Sequence, residues 1–408
     1  MKILYLHQYF ATPESATGTR SYEFARRLIA HGHTVKVITS AAHLPEAYRT
    51  LTKTTEMEVG GIPALIIPIP YSNQMSFPAR IRAFLHFALL ASFHASRLKA
   101  DVIYATSTPL TIAIPAIMGH SLRRIPMVFE VRDLWPELPI AIGALRNPLL
   151  QSAAYALEWI AYHSAAHIVA LSPGMAQGVM RRGIAENRVT VIPNSSDLDR
   201  FDLPSEAGMP IRAQLGLTPD QPLILYAGTF GLINNLSYLV DLAAAMYTIA
   251  PNTQFLLVGE GAEREKIRQR ARDLGVMDIN LTVWNAMPKT EIPAIFAAAT
   301  MTTSTVIPLP ELWHNSANKF FDSLAAGKPI AINHLGWQAD LLDETGAGLV
   351  LPADDPQRAA QLLADFVHDP ARLLAASQAA RELGRTRFSR DLLAAQMEAV
   401  LKQVVGQP

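Results

Sequence analysis

Short apolar runs rich in Ile, Val and Leu alternate along the chain with longer stretches of helical period, from the first residues onward. This is the pattern of βαβ units whose parallel strands are buried on both faces. Strands are predicted near residues 3–6, 35–39, 64–69, 102–105, 127–131, 167–171 and 189–192, with helical patterns between most of them. A polar stretch of turn formers, from Pro193-Asn194-Ser195-Ser196-Asp197 to Pro204-Ser205-Glu206, interrupts the alternation. It restarts with strands near 223–226, 254–258, 280–283, 301–306, 329–332 and 348–351, and long helical patterns close the chain. We therefore expect an α/β protein of two Rossmann-like parallel-sheet domains facing a cleft. The first spans residues 1–200 and the second 201–385; a helical segment, 386–408, is free to pack back towards the first. Each domain opens with a strand and a glycine-bearing turn, Gly18 in one and Gly228-Thr229-Phe230-Gly231 in the other. Backbone N–H groups at such turns suit a phosphate-bearing ligand.

Residues 77–99 read as one helix, with Phe84, Phe87, Leu90 and Phe93 along it and Arg80, Arg82, Arg97 and Lys99 at its ends. Its histidines and charged ends argue against a membrane span. It is either a helix packed on its own sheet or one lying at a membrane surface.

Composition narrows the class. The 408 residues are 50% hydrophobic and 17% charged, which fits a folded chain rather than a disordered one. The absence of cysteine excludes disulfides, thiolate metal sites and a cysteine nucleophile. Residues 1–6 are too short for the core of a signal peptide, so a cytoplasmic location is expected. The formal net charge is zero, but residues 1–200 carry 19 Lys/Arg against 13 Asp/Glu and residues 201–408 carry 16 against 22. Between Val59 and Phe129 the only acidic residue is Asp101, so the first half favours an anionic partner, such as the inner membrane surface.

The segment from Ser316 to Pro329 carries the most chemistry. It reads as the start of a helix with Lys319 in the first turn and Asp322 one turn on, closed by Gly327. A helix N-terminus beside a lysine suits a diphosphate, and a carboxylate about 5 Å further along can accept two ribose hydroxyls. On spacing alone an ordinary helix with a solvated Lys–Asp pair is equally compatible. Gly259-Glu260-Gly261 is a strand-to-helix turn; a dinucleotide fingerprint would need glycine at 264, where Arg264 stands.

Five segments in order carry a family resemblance: His7-Gln8-Tyr9-Phe10 through Gly18-Thr19-Arg20; Gly32-His33-Thr34-Val35 with the strand that follows; Arg132-Asp133-Leu134-Trp135-Pro136-Glu137; Ser172-Pro173-Gly174-Met175 with Val191-Ile192-Pro193-Asn194; and residues 319–329. Together they resemble the GT-B glycosyltransferases, specifically the retaining family 4, also called group 1. The Asp133–Glu137 run is similar to that of the bacterial surface-polysaccharide subgroup, which includes N-acetyl-fucosaminyltransferases.

The resemblance implies a UDP-sugar donor held by the second domain and a saccharide acceptor, free or linked to a polyprenyl diphosphate, held by the first. The transferred sugar would be of the N-acetylated hexosamine or 6-deoxyhexosamine kind. The resemblance implies that the donor residues are Gly228, Thr229, Phe230, Gly231, Asn234, Gly259, Glu260, Trp284, Asn285, His314, Ser316, Asn318 and Asp322. Lys319, Arg132 and Asp133 carry the chemistry, and Gly18 and Arg20 approach the acceptor; Arg20 reads equally as a charge on a helix surface, and Asp133 as a helix cap. Two departures from the family pattern stand out. His314 occupies the place of the first of two paired acids, and Thr229 and Asn234 replace the usual diphosphate-clamping Arg and Lys, leaving Lys319 and loop amides to neutralise the diphosphate. Asp197-x-Asp199 is read as turn and cap residues rather than a metal motif, and His31, His33, His163 and His167 lack ligand spacing. No metal, no cofactor and no nucleic-acid partner is expected. A sugar-nucleotide 2-epimerase and a non-catalytic partner subunit of the same architecture are the alternatives.

Overall fold

The structure is a computed structural model and describes residues 1–15, 18–72 and 75–406. The chain divides into two compact units, Met1–Pro193 together with Asp391–Pro408, and Asn194–Arg390.

In the first unit, β1 (Lys2–Leu6), β2 (Thr34–Ser40), β3 (Thr55–Val59), β4 (Ile62–Ile67), β5 (Val102–Thr106), β6 (Met127–Val131), β7 (His167–Ala170) and β8 (Val189–Val191) form one sheet. Its order is β3-β4-β2-β1-β5-β6-β7-β8. All pairings are parallel except β3 with β4, which form a hairpin through Gly60 and Gly61, both at positive φ. The apolar alternation did not predict β3. Its Thr-Glu-Met-Glu-Val sequence suits an outermost strand with polar side chains in water.

The other strands are legible because they are covered on both faces. On one face the helices Phe77–Ala95, Ala113–Arg123 and Pro148–Ser164 bring Phe87, Ala91, Ala116, Ala161 and Tyr162 over Leu6, Ile103 and Phe129. On the other face Arg20–Ala30 and Arg390–Val404 bring Phe24, Leu28, Leu393, Met397 and Leu401 over Tyr5, Val37 and Val128. The last helix therefore completes the core of the first unit. Polar contacts pin it there: Glu398 accepts from His31 Nδ1 at 2.5 Å, His33 Nε2 at 2.9 Å and Lys402 at 2.9 Å.

The second unit holds a wholly parallel sheet of order β11-β10-β9-β12-β13-β14. Its strands are β9 (Leu223–Ala227), β10 (Gln254–Val258), β11 (Leu281–Trp284), β12 (Met301–Ser304), β13 (Ile330–Ile332) and β14 (Gly348–Val350). The run predicted to continue to Val306 leaves the ladder after Ser304. There the Asn333 side chain takes over, accepting the Val306 N–H at 2.8 Å and donating to the Val306 carbonyl at 2.9 Å.

Candidate functional site

In the second unit, β9 ends in the turn Gly228-Thr229-Phe230-Gly231, at the carboxyl edge where open α/β sheets place their ligands. The turn is built from beneath. Tyr226 Oη and Asn234 Nδ2 both donate to the Thr229 carbonyl, at 2.8 and 2.9 Å, and the Phe230 ring is wholly buried edge-on to Tyr226. The N–H groups of Gly228 and Phe230 are spent on the carbonyls of Val258 and Glu260. The amides this turn can offer an anion therefore reduce to those of Thr229 and Gly231, and Phe230 acts from the core rather than by contact.

Gly259 and Gly261 have a steric purpose. A Cβ on Gly259 would lie 1.8 Å from the Gly228 carbonyl oxygen, and one on Gly261 would lie 2.3 Å from that of Phe230. The two loops meet backbone to backbone. Asn285 receives a hydrogen bond from Arg264, whose guanidinium also lies 3.6 Å from Glu260. The Trp284 carbonyl accepts the Gly259 N–H at 3.2 Å.

The helix Asn318–Ala325 starts without a side-chain cap, so its first amides face outward with the positive end of the helix dipole. Lys319, on its first turn, reaches the same place. Its Nζ donates to Asn234 Oδ1 at 3.1 Å, lies 5.3 Å from the Tyr226 ring centre, and passes Gly228, where a Cβ would stand 3.1 Å from its Cε. Burial lowers its ammonium to about 8, against the pull of Asp322. Asn234 thus grips both the turn and the lysine, a role that substitution for a basic residue concealed. Sequence reasoning also missed His334, on the loop after β13: burial and the nearby Lys319 hold its imidazole below the usual range. Its signal was its place, just past the carboxyl end of a strand.

Asp322, half-buried one turn beyond Lys319, is raised by burial, while Ser196, Lys289 and Arg390 oppose the shift. Lys289, likewise unforeseen, is lowered by burial against the attraction of Asp322. Ser316 is engaged with Asn194, whose backbone N–H donates to its Oγ at 2.9 Å and whose side chain donates to its carbonyl at 2.5 Å. Asn318 is exposed at the helix start, and His314 is half-buried at the end of the short helix Pro310–His314. Asp197 does not cap its helix by a side-chain bond; its carboxylate pairs with Arg390 at 2.9 Å. Lys328, also in the glycine-closed motif, is structural: it donates to the carbonyls of Ala297 and Ala299.

In the first unit, Arg132 and Asp133 follow β6 at its carboxyl edge, both half-buried, with the Arg132 N–H donating to Ser107 Oγ at 2.9 Å. Burial pushes Asp133 up to about 6, opposed by Arg132. His7, just past β1, is held well below its ordinary value by burial, then by Arg132 and His43. The structure therefore gathers His7, His43, Arg132 and Asp133, of which sequence reasoning had singled out two.

Arg20 is a correction. It neither lies on a helix surface nor reaches outward for an acceptor, because its side chain is 1% exposed and fully engaged. It donates from Nε to Glu130 at 2.9 Å and to the carbonyls of Pro193 and Ile192, and it covers the Phe24 ring at 4.4 Å. Burial alone would raise the Glu130 carboxyl, but Arg20, Arg132 and the hydroxyls of Thr106 and Tyr104 hold it below the ordinary range. Gly18 is half-buried two residues before, and Ala16 and Thr17 lie outside the described residues.

Residues 15–195 match the family model of the glycosyl transferase 4-like domain, and residues 210–383 that of the glycosyl transferases group 1. The chain belongs to the group 1 glycosyltransferases. This glycosyltransferase is 24% identical over 309 residues to the putative colanic acid biosynthesis glycosyl transferase WcaI of Escherichia coli, covering 71% of this chain and 74% of that one. It is 23% identical over 268 residues to the 2-deoxystreptamine glucosyltransferase of Streptomyces kanamyceticus, covering 65% and 67%. The crystal structure of HepE from Anabaena with UDP and glucose superposes on 99% of this chain and 100% of its own, with a TM-score of 0.73 at 19% identity. The glycosyltransferase thus has the GT-B fold.

Proposed function

We propose that this glycosyltransferase moves a sugar from a UDP-sugar to a saccharide acceptor carried on a polyprenyl diphosphate, with the anomeric configuration retained, in the synthesis of a cell-surface polysaccharide. The observation that carries the reading is the convergence of the Lys319 ammonium, the uncapped start of its helix and the Gly228–Gly231 turn on one spot. Anions bind where amide dipoles and an ammonium meet, and a departing diphosphate is the charge that such a site stabilises as the anomeric bond breaks. Asp322 accepts the ribose hydroxyls in this reading. HepE binds UDP and glucose, and WcaI is named for colanic acid synthesis; both support the substrate classes. The segment Asp133–Glu137 favours an N-acetylated or 6-deoxy sugar through its resemblance to the polysaccharide subgroup.

Retention follows if the acceptor hydroxyl attacks the face the diphosphate leaves. The C–O bond to the diphosphate breaks, the bond to the acceptor oxygen forms, and the acceptor proton passes to a departing phosphate oxygen, so no side chain needs to act as nucleophile. Charge neutralisation by Lys319 and amides asks for no metal, and activity is expected to survive chelation. Asp133, rising towards neutrality, is placed to orient the acceptor hydroxyl from the first unit.

The test is titration calorimetry with UDP and GDP, followed by nucleotide release across a panel of their sugars. Tight UDP binding that falls about tenfold or more in Lys319→Ala and in Asp322→Ala is the expected result. Wild-type affinity in both variants would remove the proposed donor site.

A further inference from the structure

Three helices cover one face of the first unit's sheet, and their outer surfaces are unusual. On Phe77–Ala95 the inward residues Ala83, Phe87 and Ala91 belong to the core, while Leu85, Leu89 and Phe93 recur at helical spacing on the side facing water. The neighbouring helices Ala113–Arg123 and Pro148–Ser164 continue this surface with Leu122, Leu149 and Trp159. Leu89 is 68% exposed, Leu122 62%, Leu149 81% and Trp159 54%. Single exposed apolar residues are ordinary, but a run across three adjacent helices is not.

The charge around it has one sign. Arg82, Arg97, Lys99, Arg123 and Arg124 are all exposed at the rim, and Arg97 lies flat on the Phe93 ring at 3.4 Å. None of the three helices shows an acid to water. Glu158, the one acid they contain, is buried and paired with Arg182 at 3.0 Å, and Asp101, beyond the first helix, accepts the Lys2 N–H at 2.7 Å.

We propose that this three-helix face rests on an anionic phospholipid bilayer, with Leu85, Leu89, Phe93, Leu122, Leu149 and Trp159 immersed at the headgroup boundary and the basic rim against lipid phosphates. Apolar side chains with an indole among them, ringed by Lys and Arg, are the composition of an interfacial anchor. No helix among the described residues is long and apolar enough to cross a membrane, so the contact is adsorption. A second copy of the chain is the poorer occupant, since two such faces would oppose their like-charged rims. The proposal goes beyond the donor reading and does not depend on it.

Co-flotation tests it with vesicles of phosphatidylglycerol and phosphatidylcholine in equal parts, against phosphatidylcholine alone, at low and high salt. The full chain is expected to float with the anionic vesicles and to be released by salt. Leu89→Ser combined with Phe93→Ser, and separately Trp159→Ser, should each weaken binding about tenfold. Arg123→Glu with Arg124→Glu should weaken it by a similar factor and flatten the salt dependence. The exposed Leu374→Ser in the second unit should change nothing. These side chains face water, so the variants should keep the wild-type melting temperature, and UDP titration provides a separate check on the donor site. Absence of flotation at low salt, flotation insensitive to the substitutions, or a lipid-free dimer that the same substitutions dissociate would each overturn the proposal.

Discussion

Lys319 sits where its own charge is least favoured. Burial holds its ammonium at about 8 and Asn234 holds it in place, so an arriving diphosphate meets a cation that has already lost its water. A lysine is charged below its pKa, so UDP affinity should be flat below about pH 7 and fall as pH rises through 8. Near pH 8, binding should take up a proton, because the diphosphate raises the lysine again. Calorimetry in two buffers of different ionisation enthalpy measures that uptake, and Lys319→Ala should abolish it. Gly259 makes a different kind of prediction. With a Cβ 1.8 Å from the Gly228 oxygen, Gly259→Ala must push the donor turn aside, costing about 1–3 kcal/mol of stability together with UDP affinity. An unchanged melting temperature with wild-type UDP binding would show that the two loops do not bear on one another.

Elements behave according to how they are covered. The closing helix Arg390–Val404 is held by an apolar stripe and by Glu398, whose carboxyl is held at about 2; burial would raise it, but His31, Lys402 and His33 outweigh burial. A carboxyl depressed in the folded state stabilises above its ordinary value near 4.3 and ceases to as pH falls towards 2. Glu398→Gln should therefore cost roughly 1–2 kcal/mol at about pH 6, with the difference from wild type vanishing towards pH 2 in denaturant melts. Coverage also decides what a reader of sequence can see. β5 and β6, buried on both faces, stand out as apolar runs, whereas β3, wet on its outer side, does not. In the site, Lys319 and Asp322 were legible because one helix turn separates them. Asn234 lies 85 residues from the lysine it grips, and only the fold reveals that bond. Arg20 was misjudged for the same reason: its partner Glu130 lies 110 residues on, and no local pattern announces a buried ion pair.

At the scale of the molecule, the chain leaves the first unit at Pro193, completes the second without interruption to Arg390, and returns. A fragment of residues 194–390 is expected to fold alone and, if the donor reading holds, to bind UDP. Residues 1–193 alone lack Leu393, Met397, Val400 and Leu401, each of which contributes about 1.5–3 kcal/mol when buried. That fragment should be aggregated or loosely packed by circular dichroism and amide exchange, and joining residues 391–406 to it through a flexible linker should restore a cooperative melt. A well-folded 1–193 fragment would mean that the last helix is an ornament to that core.

The returning helix also sets a timetable. On the ribosome the first half is the earlier to emerge, yet the piece that closes its sheet is among the last made, about 10–40 s later at ordinary rates of synthesis. For that interval the face formed by Tyr5, Val37 and Val128 stands open beside the nascent second half. The cell must shield it, and premature termination anywhere before the final helix yields a product fit only for degradation.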